Sequence, residues 1–385
     1  MKQEIISYIS TFEDNLLDLA TYLYKNPEES YKEIKASEYI TNFLSSQGFT
    51  IEKNFVDIKT AFKATYGEGH PKICLICEYD AIKDKGHITG HNLISEISIA
   101  TALGLKKVID NIKGSIVLLG CPGEYLGGAK VTFAKQGVFD DVDVVLMAHP
   151  YTETHESGTS YAILPLSLSF QSDGGFNYME SSKLNALEGL LFFLDSLNRL
   201  AKTFPQEVII NPIIENGGIT PLLVPDSTKA NLYIRAETTK ILEITEAKVK
   251  AIASSISSLT SITHSFNLYE LPYGELITNA TLSRLFCHNL KECGVIDIYE
   301  KRDIKAGLSL GTVSHKVPCI HPYVSIIENN SIKYATEEFA LTTLSNFAQK
   351  QVLKTAKALA FTALDLIEKE SLLKEVKDEF YKAKL

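Results

Sequence analysis

The run Ser115-Ile116-Val117-Leu118-Leu119-Gly120-Cys121-Pro122-Gly123-Glu124-Tyr125-Leu126-Gly127-Gly128-Ala129-Lys130 decides how this chain folds. Its first six residues form a short, uncharged, β-rich run, and the next ten are broken by Pro and Gly. Glu124 therefore stands just beyond the end of a strand. The arrangement recurs on both sides. Ile73–Cys77 is followed by Gly86-His87-Ile88-Thr89-Gly90-His91-Asn92, and Val142–Ala148 runs straight into His149-Pro150. Helical stretches lie between the later strands, and that alternation predicts an α/β sheet with helices on its faces. Open α/β sheets hold ligands outside the carboxyl ends of their strands. The three motifs fall there.

At 385 residues the chain suits two domains, or one domain with an insertion. Hydrophobic content of 45% and charged content of 22% are those of a globular protein. The net charge of −9 is scattered and no basic stripe appears, which argues against nucleic-acid binding. No apolar run reaches membrane-spanning length. The start, Met1 to Ser7, lacks the apolar core of a signal peptide. Six cysteines sit mostly in apolar stretches, as thiols in a reducing compartment do, so a cytoplasmic location is expected. Cys74 and Cys77 are spaced like a redox or zinc pair. Within a strand, however, that spacing turns them to opposite faces.

From Tyr161 the pattern changes. Ala162–Phe170 alternates as a strand, Asn185–Thr203 is an amphipathic helix, and 207–214 and 228–235 are further strands before the helix 244–262. This order predicts a small α+β sandwich with helices on one face. The α/β pattern then resumes and closes with one long helix from Thr336 to Glu368 and a charged, helix-prone tail. The expected organisation is a domain of residues 1–160 plus 272–385, interrupted by an inserted domain of 161–271.

The three motifs, in this order, resemble the metal-binding stretches of the dinuclear-zinc amidohydrolases and dipeptidases, a family that includes aminoacylases and aminobenzoyl-glutamate hydrolase. Asn26-Pro27-Glu28, Glu78-Tyr79-Asp80-Ala81, Tyr233-Ile234-Arg235-Ala236 and Gly311-Thr312-Val313-Ser314-His315 extend the resemblance over nearly the whole chain. It implies a mixed-sheet zinc-peptidase-like domain split by a small lid domain that forms a homodimer. Pairing would run through an edge strand of that lid, Leu164–Phe170 or a neighbour.

In this family two zinc ions activate a bridging water and a free carboxylate serves as general base. The resemblance implies five ligand positions, of which His91 and His149 are kept. Thr89 stands where the family has cysteine, Tyr125 where it has a second glutamate, and Ala335 where it has a late histidine. Glu124 matches the general base. Phe176, Leu222 and Ser309 replace a lid histidine, a lid asparagine and an aspartate, while Arg235 and His315 match substrate-binding positions. Taken singly, each of these residues has an ordinary structural explanation; jointly they mark His91, Glu124 and His149 as pocket residues.

The expectation is a family member without the dinuclear site. Its cleft would bind a small carboxylate-bearing amide or amino-acid derivative, with Glu124 and Tyr125 catalytic, Arg235 and His315 on substrate, and no metal cofactor. Two alternatives stay open. One is a hydrolase of dipeptides or N-acyl amino acids using a single zinc or manganese ion on His91 and His149; the other is a non-catalytic binding or partner protein.

Overall fold

The computed structural model describes residues 1–179, 184–204 and 208–383, so Glu207 and the last two residues of the predicted tail lie outside the described residues. Two compact units are present: 1–159 with 276–303 and 312–385, and 160–275 with 304–311. Residues 272–275 and 304–311, expected in the first domain, therefore belong to the second unit. Backbone pairing explains this. Ile163 N–H donates to Tyr273 O at 2.9 Å and Tyr161 N–H to Ala306 O at 2.9 Å.

The first unit is built on a six-stranded mixed sheet. Its order is Thr50–Lys53, Phe62–Glu68, Gly114–Gly120, Lys72–Cys77, Val144–Leu146 and Cys319–Ile320. The last four run parallel to one another and the first two antiparallel, so the sheet is mixed as expected. Gly114–Gly120 is buried along its whole length, and Lys72–Cys77 at every residue but the first. That burial explains their unbroken apolar reading. Cys74 and Cys77 are both buried free thiols.

Helix His91–Ile109 is buried nearly all round, which is why its apolar residues show no single face. Its start is fixed by Gly90 at φ +83°, where an added Cβ would stand 2.6 Å from Pro150 Cγ. The helices Asn346–Glu368 and Lys2–Ser10 pack against it.

The helical periodicity of residues 3 to 25 is that of one helix, and the structure divides it into two, Lys2–Ser10 and Glu13–Lys25. The long closing helix is likewise broken into Glu337–Thr342 and Asn346–Glu368, because Ser345 caps the second by accepting from Ala348 N–H. The tail forms helix Glu370–Lys382, which buries Leu373, Val376 and Phe380. Its Glu379 accepts from Thr281 N–H at 2.9 Å, at the start of helix Ala280–Glu292. The tail thus supplies an acidic cap to a neighbouring helix.

The second unit holds a four-stranded antiparallel sheet ordered Val208–Asn216, Ser227–Ala236, Ala162–Gln171 and Thr263–Leu268. Ser227–Ala236 buries every second residue, as a one-sided sheet requires. Helices Ala186–Leu200 and Thr239–Leu259 share one core with that face, through Leu190, Phe193, Val249 and Ala253 against Leu232 and Ile234. Asn185 and Glu188 form a capping box on the first helix. Leu164–Phe170 is an interior stretch of the sheet, not an edge. The edges are Val208–Asn216 and Thr263–Leu268.

Candidate active site

Six polar side chains of the first unit meet beyond the ends of its central strands. Glu78 and Asp80 follow Lys72–Cys77, His91 opens the buried helix, and Glu124 and Tyr125 lie in a single 3₁₀ turn, Glu124–Leu126. Lys130 comes from the short helix Ala129–Lys135. The 3₁₀ turn is locked from outside. Gly123, at φ +79°, has no room for a Cβ, which would stand 2.4 Å from the Tyr31 ring. Its N–H donates to Glu33 Oε1 at 2.9 Å. Burial, then the nearby Asp80 charge, pushes the Glu33 carboxyl up to about 7.

Lys130 sits at the centre of the group. Its side chain is 0% exposed, and its Nζ donates to Glu78 Oε1 at 2.5 Å and to Glu124 Oε2 at 2.6 Å. Burial works to discharge the ammonium, but Glu124 and Glu78 outweigh it and hold its pKa above the ordinary lysine value. On the other side of Glu78, His91 Nε2 lies 3.6 Å from Oε2. Asp80 Oδ1 contacts His91 Nδ1 at 2.8 Å, and Asp80 Oδ2 accepts from Ser30 Oγ at 2.7 Å and Tyr125 N–H at 3.2 Å. Burial alone would lower the pKa of His91. Its contacts with Asp80 and the charge of Glu78 reverse this and raise it.

The Tyr125 ring stacks on His91, centroids 4.8 Å apart at 9°. Its phenol is hydrogen-bonded to Thr89 Oγ1. Burial raises its pKa well above the usual phenol value, so Tyr125 stays a neutral hydroxyl at physiological pH.

His149 stands edge-on to His91, ring centroids 6.0 Å apart, and 5.3 Å from His321. Its Nδ1 lies 2.8 Å from Pro150 O, a carbonyl that can only accept, so Nδ1 carries the hydrogen and Nε2 keeps its lone pair. Burial, followed by the neighbouring histidines, lowers His149 well below the ordinary histidine value, and burial takes His321 down to about 4. Both rings are neutral near pH 7. They come from two His-Pro-Tyr tripeptides, one forming strand His149–Tyr151 and the other leading into the parallel strand Tyr323–Ser325, in which Tyr323 pairs with His149. Tyr334 closes the group 6.1 Å from His149.

Glu124, Tyr125, His91 and His149 are thus gathered in one place. Arg235 belongs to the second unit, where it donates to Asn211 Oδ1 at 2.7 Å and lies over the Tyr233 ring. His315 is half-buried in the first unit, just after the short helix Leu310–Ser314. Ala335 is exposed, with φ +61°. Phe176 and Leu222, both exposed, lie in and beside the two-stranded ladder of Gly175–Phe176 with Leu223–Val224. Sequence reading missed Glu78, Asp80 and Lys130 as site residues; the single charge in Gly-Gly-Ala-Lys-Val was the available signal for the last.

The chain aligns with mouse Xaa-Arg dipeptidase at 30% identity, over 99% of this chain and 92% of the relative. It belongs to the amidohydrolase and dipeptidase family. The human Xaa-Arg dipeptidase is 28% identical over 94% of this chain and 88% of its own length. No family model matches the chain. Among solved structures, an aminobenzoyl-glutamate utilization protein from Klebsiella pneumoniae superimposes with a TM-score of 0.72 at 12% identity, covering 93% of this chain and 97% of that one. A dinuclear metal-binding peptidase of Bacillus subtilis gives 0.64 at 15% identity, over 89% and 98%. These likenesses establish the mixed α/β fold.

Three of the five ligand positions that the resemblance implies carry no acidic or imidazole side chain. Thr89 and Tyr125 are neutral hydroxyls bonded to each other, and Ala335 offers no donor. Glu78 and Glu124 are both bonded to the Lys130 ammonium. No group of three or more His, Cys, Asp or Glu side chains is placed to hold an ion among the described residues.

Proposed function

We propose that this protein hydrolyses a small carboxylate-bearing amide, a dipeptide or an N-acyl amino acid, with dipeptides ending in arginine as the first class to test. The end-to-end match to Xaa-Arg dipeptidases carries this reading, and it favours catalysis over a binding-only role. Glu124 is the acid–base residue: its side chain is 14% exposed, enough to meet a water or an amide nitrogen at the pocket edge. Lys130 stays charged and positions Glu124. The neutral imidazole of His149, with its Nε2 lone pair, is positioned to accept a hydrogen bond from the substrate. Tyr125 is placed as a donor toward a carbonyl oxygen that gains charge, once it exchanges its bond to Thr89.

We further propose that the pocket works without a dinuclear centre, on the strength of Lys130 bridging Glu78 and Glu124. The inserted unit is proposed as a lid and dimerisation element, and the free thiols suit a reducing compartment. Amine release from alanyl-arginine and N-acetyl amino acids, measured with and without chelator and in Glu124→Gln, tests the reading. Turnover lost in Glu124→Gln and kept in chelator is the expected result. Chelator-sensitive turnover with stoichiometric metal would instead establish a hydrolase using a reduced ligand set, and no turnover of either class would overturn the catalytic reading.

A further inference from the structure

We propose that Arg302, on strand Tyr299–Ile304 of the first unit, is the anchor for the substrate carboxylate. The inference rests on the hydrolase reading above and deepens it. Arg302 is half-buried, and its guanidinium carbon lies 4.1 Å from the Tyr151 ring centroid and 5.6 Å from that of Tyr323. Aromatic faces hold a guanidinium by its plane and leave its N–H edge unused. Its Nε is buried and has no hydrogen-bond partner, and no carboxylate pairs with it among the described residues. The nearest acid in sequence, Asp303, is taken: it meets Lys301 at 3.2 Å and accepts from Thr159 N–H at 2.9 Å. A partly buried cation with no anion is costly unless something else supplies the charge. The planar fork of arginine is matched by a carboxylate.

Its place relative to the site supports this. Tyr323 joins the two: its ring lies 5.8 Å from His149 and 5.6 Å from the guanidinium. One extended residue, roughly 3.5 Å, separates the scissile carbonyl of a dipeptide from its terminal carboxylate, and hydrogen bonds of about 3 Å at each end extend the span to roughly 10 Å. A scissile amide held beside His149 therefore puts the terminal carboxylate of a dipeptide within reach of Arg302. Arg235, the arginine singled out from sequence, belongs to the other unit and already donates to Asn211.

The test is equilibrium binding of alanyl-arginine and of its C-terminal amide to the full chain, by calorimetry, with arginine release followed in parallel. A charge-assisted fork predicts that wild type binds the free acid about 10- to 100-fold more tightly than the amide. Arg302→Gln should bring that ratio close to one while leaving amide binding in place. Arg302→Lys, which keeps charge without the fork, should fall between and guards against a misfolded Gln variant. An unchanged ratio in Arg302→Gln overturns the proposal. So does an equal loss for acid and amide, which marks a packing role, or a ratio lost in Arg235→Gln but kept in Arg302→Gln. Absence of arginine release with the acid–amide ratio intact defeats the hydrolase reading and leaves the anchor standing.

Discussion

Replacing Lys130 by methionine is the perturbation that most directly tests the site. Methionine preserves the length of the stem and removes the ammonium that bridges two carboxylates at 2.5 and 2.6 Å. Glu78 is then stranded: its side chain is 3% exposed, with His91 Nε2 at 3.6 Å as its remaining cationic neighbour. Breaking one side of a buried ion pair costs about 3–5 kcal/mol, a large part of the total stability of a typical domain. The cost must depend on pH. Burial already raises the Glu78 pKa above the ordinary carboxylate value, and Lys130 is the main force opposing that rise. Without Lys130 the folded state binds this proton more tightly than the unfolded chain does. The penalty is absent below the unfolded carboxylate pKa and grows as pH rises.

Guanidinium unfolding of wild type, Lys130→Met and Lys130→Met/Glu78→Gln at acid and mildly alkaline pH reads this out. The double variant should recover most of the loss, because residues in one network are strongly non-additive. Removing the ammonium also leaves Glu78, Glu124 and His91 facing a vacancy suited to a divalent cation. Zinc should raise the melting temperature of Lys130→Met and leave wild type unmoved. A pH-independent loss below about 1 kcal/mol, or zinc stabilising both proteins alike, would refute the reading of the Lys130 ammonium as the counter-charge that bridges Glu78 and Glu124.

Three further outcomes follow from other parts of the structure. Glu96 is fully buried in helix His91–Ile109, and burial pushes its carboxyl up to about 8. Its stabilising proton is fully held below the unfolded carboxylate pKa and lost as pH rises through about 8, so Glu96→Gln should lose less melting temperature than wild type between neutral and alkaline pH. A homodimer is expected through the outer strand Val208–Asn216, where Ile213 and Ile214 are 63% and 47% exposed; Ile213→Lys should give a monomer in light scattering. Restoring Thr89→Cys, Tyr125→Glu and Ala335→His together should raise zinc affinity steeply where no single change does, read by elemental analysis after dialysis.

Much of this was legible in the chain because the relevant signals are local. The central strands Lys72–Cys77 and Gly114–Gly120 are buried on both faces and read as apolar runs; the half-buried strand Ser227–Ala236 reads as strict alternation. His91, Glu124 and His149 could be gathered because each stands at a strand end or just beyond a loop. Lys130 was hidden. A lysine on a short helix is ordinarily solvated, and its partner Glu78 lies 52 residues away. The edge strand was misplaced for a similar reason, since strand order depends on pairings between distant segments such as Thr263–Leu268 with Ala162–Gln171. The break at Ser345 was local and readable, but the helical periodicity on both sides masked one serine cap.

The substitutions at this site make electrostatic sense as a set. Cysteine and glutamate at positions 89 and 125 would each bring a negative charge into a pocket that already holds Glu78, Asp80 and Glu124. Such a pocket needs metal cations. With Thr89 and Tyr125 the added charge is gone, and the two hydroxyls satisfy each other by one hydrogen bond. What remains is Glu78 and Glu124 on the Lys130 ammonium and Asp80 on His91, an arrangement in which each buried carboxylate has a cationic or polarisable partner. Buried charge without a counter-charge is the costlier alternative. A change at Thr89 or Tyr125 alone, toward an acidic residue, would therefore disturb a balanced set and not simply add a ligand. That coupling predicts that acidic side chains introduced here act together and not one at a time.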